Sequence, residues 1–254
     1  MAGSKRSTGR LKLALWETGT VVWVCVAGSA LHFAFELSEY WRPMALFAAV
    51  NESAWEHTKM YFWPGLFAAL VQYTYTRDVA NNYWLGKAAA LAITPVLIWL
   101  TYFSYMSWVV ASGSKASLPT MLSIMVLGIS AGQAASWTIL TRPPLQRAAT
   151  RTAAGVMATL TAVFATFSYF PPKFFLFENF FCYEYTGEYG ILDDYAPYRV
   201  FVKVGADGST RAGGGVNYCA GRQRGIPVAG DPAGAAAPQD QPDRTAWAPS
   251  DKSR

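Results

Sequence analysis

An α-helical bundle crossing a membrane about five times, followed by a mostly irregular C-terminal tail, is the fold class this sequence predicts. Two observations carry that prediction. Only 15% of the residues are charged and 52% are hydrophobic, whereas a soluble domain holds about a quarter charged. The shortage of charge falls almost wholly before residue 175, where apolar stretches approach the ~20 residues needed to cross ~30 Å of hydrocarbon. They are 15–36, 56–75, 88–111, 118–140 and 152–170.

The elements follow in order. Residues 1–12 form a basic lead, residues 13–192 the membrane domain, and residues 193–254 a polar tail. The first span is too long, and lacks the small-residue cleavage pattern, to be a signal peptide, so it is expected to be retained. Its Ala27-Gly28-Ser29 run lets another helix approach closely. The connection to the second span contains Pro43 and the apolar patch 44–50, which suits a re-entrant segment. Pro64 should bend span two, and span three, with Pro95, is long enough to tilt. Gly128, Gly132 and Ser136 recur at four-residue intervals on span four, a small-residue stripe suited to a membrane-protein partner or a second copy. Pro171-Pro172 ends span five. The aromatic stretch 174–189 reads as an interfacial belt, and 199–204 with the turn 205–208 reads as a small hairpin. Beyond Gly213 the composition points to disorder.

Charge sets orientation. Lys5, Arg6, Arg10 and Lys12, then Arg77 with Lys87, then Arg142, Arg147 and Arg151 mark one side, against Arg42 and Lys115 on the other. The positive-inside bias then puts the N-terminus in the cytoplasm and the tail outside a plasma membrane. The net charge of +5 forms no basic stripe, so nucleic acid is not an expected partner; the lipid bilayer is. Cys182 and Cys219 share the outer side, where an oxidising compartment would allow a disulfide, while Cys25 is a small packing residue.

The densest chemistry lies in Asn51-Glu52-Ser53-Ala54-Trp55-Glu56-His57-Thr58-Lys59, with His32 and Glu36 at i, i+4 near the end of span one. Ionisable groups at a membrane boundary are expensive to desolvate and usually have partners. Five spans would bring both sets to one face. Ser53-x-x-Glu56 fits a capping box, which accounts for Ser53 and half of Glu56 without any function. Glu52 and Glu56 would repel at i, i+4, and Lys59 could compensate by pairing with Glu56. Neither need explains His57.

Two roles fit the histidines. As ligands, His32, Glu36, Glu56 and His57 form a His/carboxylate set compatible with zinc or another divalent metal, although HExxH is absent. As a polar network with Asn51, Glu52, Ser53 and Lys59, the same groups would fix helix packing or relay protons. Glu56 and His57 are the candidate catalytic pair, with Glu56 or Glu52 as base.

These residues resemble the pattern of an uncharacterised family of small multi-pass membrane proteins of bacteria and archaea. That pattern has Gly-x-x-x-His in the first helix, then Val-Asn-Glu-Ser-x-Trp-Glu-His-x-Lys, then a closing Tyr-Gly-Ile. Here it falls on Gly28 to His32, Val50 to Lys59, and Tyr189-Gly190-Ile191, with the resemblance running from Leu15 to Leu192. The resemblance implies which residues to watch and no reaction. Three functions therefore stand at this stage. The first is an outward-facing Glu/His site acting on or binding a small or lipid-derived ligand. The others are a proton-linked small-solute transporter and a noncatalytic assembly subunit.

Overall fold

The computed structural model describes residues 2–114, 116–181, 184–195, 198–204 and 210–212. The chain divides into two compact units, Met1–Leu192 and Asp193–Arg254. The first unit holds five helices: α1 Ala2–Leu37, α2 Ala54–Thr76, α3 Tyr83–Ser112, α4 Leu118–Leu140 and α5 Arg147–Thr166. An antiparallel hairpin of β1 Glu178–Phe181 and β2 Glu184–Tyr189 follows. In the second unit, β3 Val202–Val204 pairs antiparallel with β4 Thr210–Ala212. The expected turn 205–208 lies outside the described residues, as do Cys182, Cys219 and everything from Gly213 onward.

Four helices are long and apolar enough to cross a membrane: α1 from Ser7, α3, α4 and α5. The 23 residues of α2 give it the length of α4, but its Trp, Tyr, Pro and Gln residues keep it outside that apolar set. It has the most buried residues of the five helices instead, lying against α1 and α3.

Several sequence boundaries move. α1 begins at Ala2, because nothing from there to Leu37 breaks a helix, so the basic lead is its first turns. α5 runs from Arg147 and stops at Thr166, four residues before the expected end. The stretch 174–189 is not only an aromatic belt, since part of it forms the β1–β2 hairpin. Lys87, counted above as a loop cation, lies inside α3 and is 3% exposed.

Helix ends follow their local chemistry. Gly113 ends α3 in the left-handed region at φ 63°, its N–H reaching the carbonyls of Val109 and Val110. Pro119 sits in the first turn of α4, where its missing N–H costs nothing. After α1 the backbone turns through Glu39 and Tyr40, both at positive φ. A short 3-10 helix, Arg42–Leu46, then leads into residues 47–50. Ala45 and Ala48 are 0% exposed, so the latter part of this irregular segment is packed within protein, the setting such backbone requires at membrane depth, while Arg42 and Pro43 stay exposed.

Small residues bring the helices together. Gly28 of α1 lies under the Tyr61 ring of α2. On α4, Gly128 meets Ile98, Gly132 meets Thr94 and the Ala90 carbonyl, and the Ser136 backbone and hydroxyl face Gly86. The Gly128–Ser136 stripe, assigned above to a partner or second copy, is thus buried against α3 of the same chain. At Gly132 a β-carbon would press on the Thr94 hydroxyl and on backbone, which cannot yield. Gly132→Leu is therefore expected to cost at least the ~1–3 kcal/mol of overpacking, read as a lowered melting temperature of the protein in detergent.

Two apolar clusters fill the interior. Val24, Met60, Tyr61, Ile98 and Ile129 join α1 to α4. Trp55, Phe62 and Phe164 stack with centroids 4.5 Å apart at each step, tying α2 to α5. At one end of the bundle stand the exposed Lys12–Asp78 ion pair at 3.2 Å and the loops 77–82 and 141–146. At the other lie residues 38–57 and the segment after α5. Twenty residues of α1 separate Lys12 from His32, about 30 Å at 1.5 Å per residue, the thickness of the hydrocarbon core.

Candidate functional site

The site is built on the entry to α2. Ser53 adopts extended backbone, φ −71° and ψ 153°, and its hydroxyl accepts from the Glu56 N–H, which starts the helix at Ala54. The Ser53 N–H donates to Asn51 Oδ1 at 2.8 Å, so the reciprocal bond of a capping box is taken by Asn51. Glu56 reaches instead to the Val50 N–H at 3.2 Å.

The rest of the motif is tied to the segment after α5. Asn51 Nδ2 donates to the Gly190 carbonyl at 2.8 Å, the Glu52 N–H to Asn179 Oδ1 at 3.1 Å, and the Trp55 N–H to the Leu176 carbonyl at 2.9 Å. Gly190 has φ 64°, and a β-carbon there would fall 2.6 Å from the Ser168 carbonyl. Both the conformation and the space demand glycine.

Glu52 precedes the helix, so the i, i+4 rule that would have set it beside Glu56 does not apply, and the two carboxylates part. Glu56, 1% exposed, turns inward. Its Oε2 accepts from Lys59 Nζ at 2.6 Å and its Oε1 from the Ser168 hydroxyl at 2.6 Å. Lys59, 0% exposed, also donates to the Ala45 carbonyl at 2.7 Å and to Ser168 Oγ at 2.6 Å. Both Glu56 oxygens already hold hydrogen bonds, so this acid anchors the 42–50 segment, α2 and the end of α5. It does not share a shell with the histidines.

Glu52 turns outward to those histidines. Its Oε2 is 3.4 Å from His57 Nε2 and its Oε1 is 3.9 Å from His32 Nε2, with the two imidazole centroids 5.2 Å apart. One ligand atom from each of His32, Glu52 and His57 lies within 4.8 Å of the others. Glu36, a turn beyond His32, is not in that group. Burial alone would raise the Glu52 carboxyl. The charge of His32 and the hydrogen bond and charge of His57 outweigh it and hold the group well below the usual carboxylate range, at about 2.

The proton positions matter here. His57 Nδ1 lies 2.9 Å from the Ser53 carbonyl. A carbonyl only accepts, so Nδ1 carries the hydrogen and Nε2 of the neutral ring presents a lone pair to Glu52. Two acceptors 3.4 Å apart need something positive between them: a proton on Nε2 or a cation. His32 Nδ1 is buried with no hydrogen-bond partner among the described residues. The three side chains are 27%, 36% and 22% exposed in chain order, so the group is open to a ligand from one side.

A second polar set was not read from the sequence. On α1, Glu17 Oε1 accepts from Lys87 Nζ of α3 at 2.6 Å and from Gln72 Nε2 of α2 at 2.8 Å, and Lys87 donates to Gln72 Oε1 at 2.8 Å. All three are at most 4% exposed, and Glu17 Oε2 is buried without a hydrogen-bond partner among the described residues. The signal was available: a lone acid within an apolar run is costly enough to demand a cation elsewhere in the membrane.

Comparison with known proteins places these residues in context. A family of unknown function (DUF6512) matches residues 6–191, and the chain belongs to it. That match takes in α1 from Arg6 onward, the whole of α2 to α5, the 50–59 segment and the β1–β2 hairpin. No curated protein and no solved structure matches the chain.

Proposed function

We propose that this membrane protein binds a divalent cation of the zinc class through His32, Glu52 and His57, and uses that site to engage a small or lipid-derived ligand. The observation that carries the reading is the 3.4 Å approach of His57 Nε2 to a Glu52 carboxylate oxygen. Two ligands bound tetrahedrally at about 2.0–2.1 Å stand ~3.4 Å apart. Ser53 supplies the outer-shell support such sites use, accepting Nδ1–H and fixing the ring that offers Nε2. Three protein ligands with an open side match the pattern of catalytic rather than structural zinc. A bound cation would supply Lewis acidity toward a carbonyl or phosphoryl oxygen.

In this reading Glu52 and not Glu56 is the carboxylate of the site. The bundle end with Arg10, Lys12, Arg77, Arg142 and Arg147 faces the cytoplasm by the positive-inside bias. The cation site and the tail then lie outside the plasma membrane, with the site at the level of lipid headgroups.

The test is elemental analysis and calorimetric titration of zinc into the purified full-length protein. Wild type is expected to hold one ion. His57→Ala and Glu52→Gln should lose more than the ~10–100-fold that loss of an orienting partner costs, while Glu36→Gln keeps the ion. A wild type that takes up no zinc, cobalt or manganese sinks the proposal. The competing reading is a proton-linked carrier, favoured by the Glu17–Gln72–Lys87 set at a second depth in the bundle. Proton flux in vesicles that persists in His57→Ala and stops in Glu17→Gln would select it.

A further inference from the structure

An apolar groove of about 500 Å³ runs between α1 and α2, remote in sequence from the cation site. Leu15, Trp16, Gly19 and Thr20 line it on α1, and Phe67 and Val71 on α2. Leu15, Phe67 and Val71 are exposed, so the groove opens outward from the bundle. The Thr20 hydroxyl donates to the Trp16 carbonyl, which leaves the lining with little to offer a polar ligand. The occupant must be apolar.

Its length and its end identify which apolar group. The α1 lining extends from Leu15 to Trp23, about 12 Å at 1.5 Å per residue, close to half of a ~30 Å hydrocarbon core. One end therefore opens a turn from Lys12 and the other stops near the middle of the bilayer. At the Lys12 end stand Lys12 and the exposed Arg77, with Asp78 paired to Lys12 at 3.2 Å, while Arg10 turns away to the Trp137 ring of α4. An excess of cations at the mouth of an apolar slot one leaflet deep complements an anionic headgroup with its chain below.

We propose that the α1–α2 groove holds an acyl chain of an anionic phospholipid from the leaflet on the Lys12 side, its phosphate resting against Lys12 and Arg77. Gly19 makes the site testable. A β-carbon there meets nothing within 4 Å, so a large side chain fills the groove without disturbing the helices. Gly155 on α5 is equally unobstructed and serves as the control.

The experiment is native mass spectrometry of the delipidated full-length protein in mild detergent, supplied with phosphatidylglycerol or phosphatidylcholine. Wild type and Gly155→Phe are expected to retain one phosphatidylglycerol. Gly19→Phe should retain roughly tenfold less or lower still, and the double variant Lys12→Gln/Arg77→Gln should lose the preference for phosphatidylglycerol over phosphatidylcholine. Equal retention of the two lipids by wild type, or retention indifferent to Gly19→Phe, means that lipid only surrounds the protein and overturns the proposal. A wild-type dimer that Gly19→Phe dissociates, with no lipid bound, gives the groove to a second copy and overturns it equally. None of these outcomes depends on a cation at His32, Glu52 and His57.

Discussion

Lys59→Met is expected to destabilise the protein by about 3–5 kcal/mol, the cost of stripping a buried charge of its partner. The ammonium is 0% exposed and donates to Glu56, Ser168 and the Ala45 carbonyl. Its removal leaves the Glu56 carboxylate with the Val50 N–H and the Ser168 hydroxyl, two neutral donors. Since those contacts hold the 42–50 segment and the end of α5, the variant should also expose residues 42–50 to protease. Glu56→Gln combined with Lys59→Met removes both charges at once, and should recover part of the loss. Melting of the purified variants in detergent measures both quantities. A single variant as stable as wild type would show that the pair is solvated and not interior.

The second large effect is expected at the other polar set. Lys87→Met removes the only charged donor that Glu17 has among the described residues, leaving a carboxylate 4% exposed with Gln72 as its remaining partner. A similar loss of about 3–5 kcal/mol follows. Here, too, Glu17→Gln combined with Lys87→Met should restore stability relative to the single change. The two effects differ in reach. Lys59 supports the loop that presents Glu52, so Lys59→Met should weaken zinc uptake as well, while Lys87→Met should leave uptake intact in whatever protein remains folded. Zinc titration of the surviving fraction separates them. Equal loss of uptake in both would mean that the bundle responds as one unit.

The helices were legible because hydrophobic length is a local property. α4 begins and ends where the sequence reading put it, with Pro119 opening it and Pro143-Pro144 beyond its close. The irregular segments were not, because their form depends on distant backbone. Residues 174–189 carry so many rings that they read as an interfacial belt. What makes part of them a hairpin is pairing such as Phe180 with Tyr185.

The site was half legible for the same reason. His32 and His57 stood out by rarity and were expected on one face, where their rings now meet. Which carboxylate joins them turned on where α2 starts. Two residues of difference in the cap decide whether Glu52 belongs to a helical face or to a loop. Ser168 carried no signal, since a serine in an apolar run is ordinary, and Lys87 looked like a loop cation because its partner Glu17 is 70 residues away.

The ties of the 51–59 segment to Leu176, Asn179 and Gly190 also set an order of events during synthesis. When α2 leaves the ribosome, none of those partners exists, and Ser168 is more than a hundred residues away. Lys59 and Glu56, at i, i+3, then have each other and the backbone of Ala45 and Val50, but not Ser168. They enter the bilayer as a neutralised pair and wait there for the chain to finish. Loop closure over such separations is slow, so α2 remains loosely held until the last helix and the residues behind it arrive. A nascent chain released just before Ser168 should therefore carry all five helices but an open loop, and should be a substrate for membrane proteases that the finished protein resists.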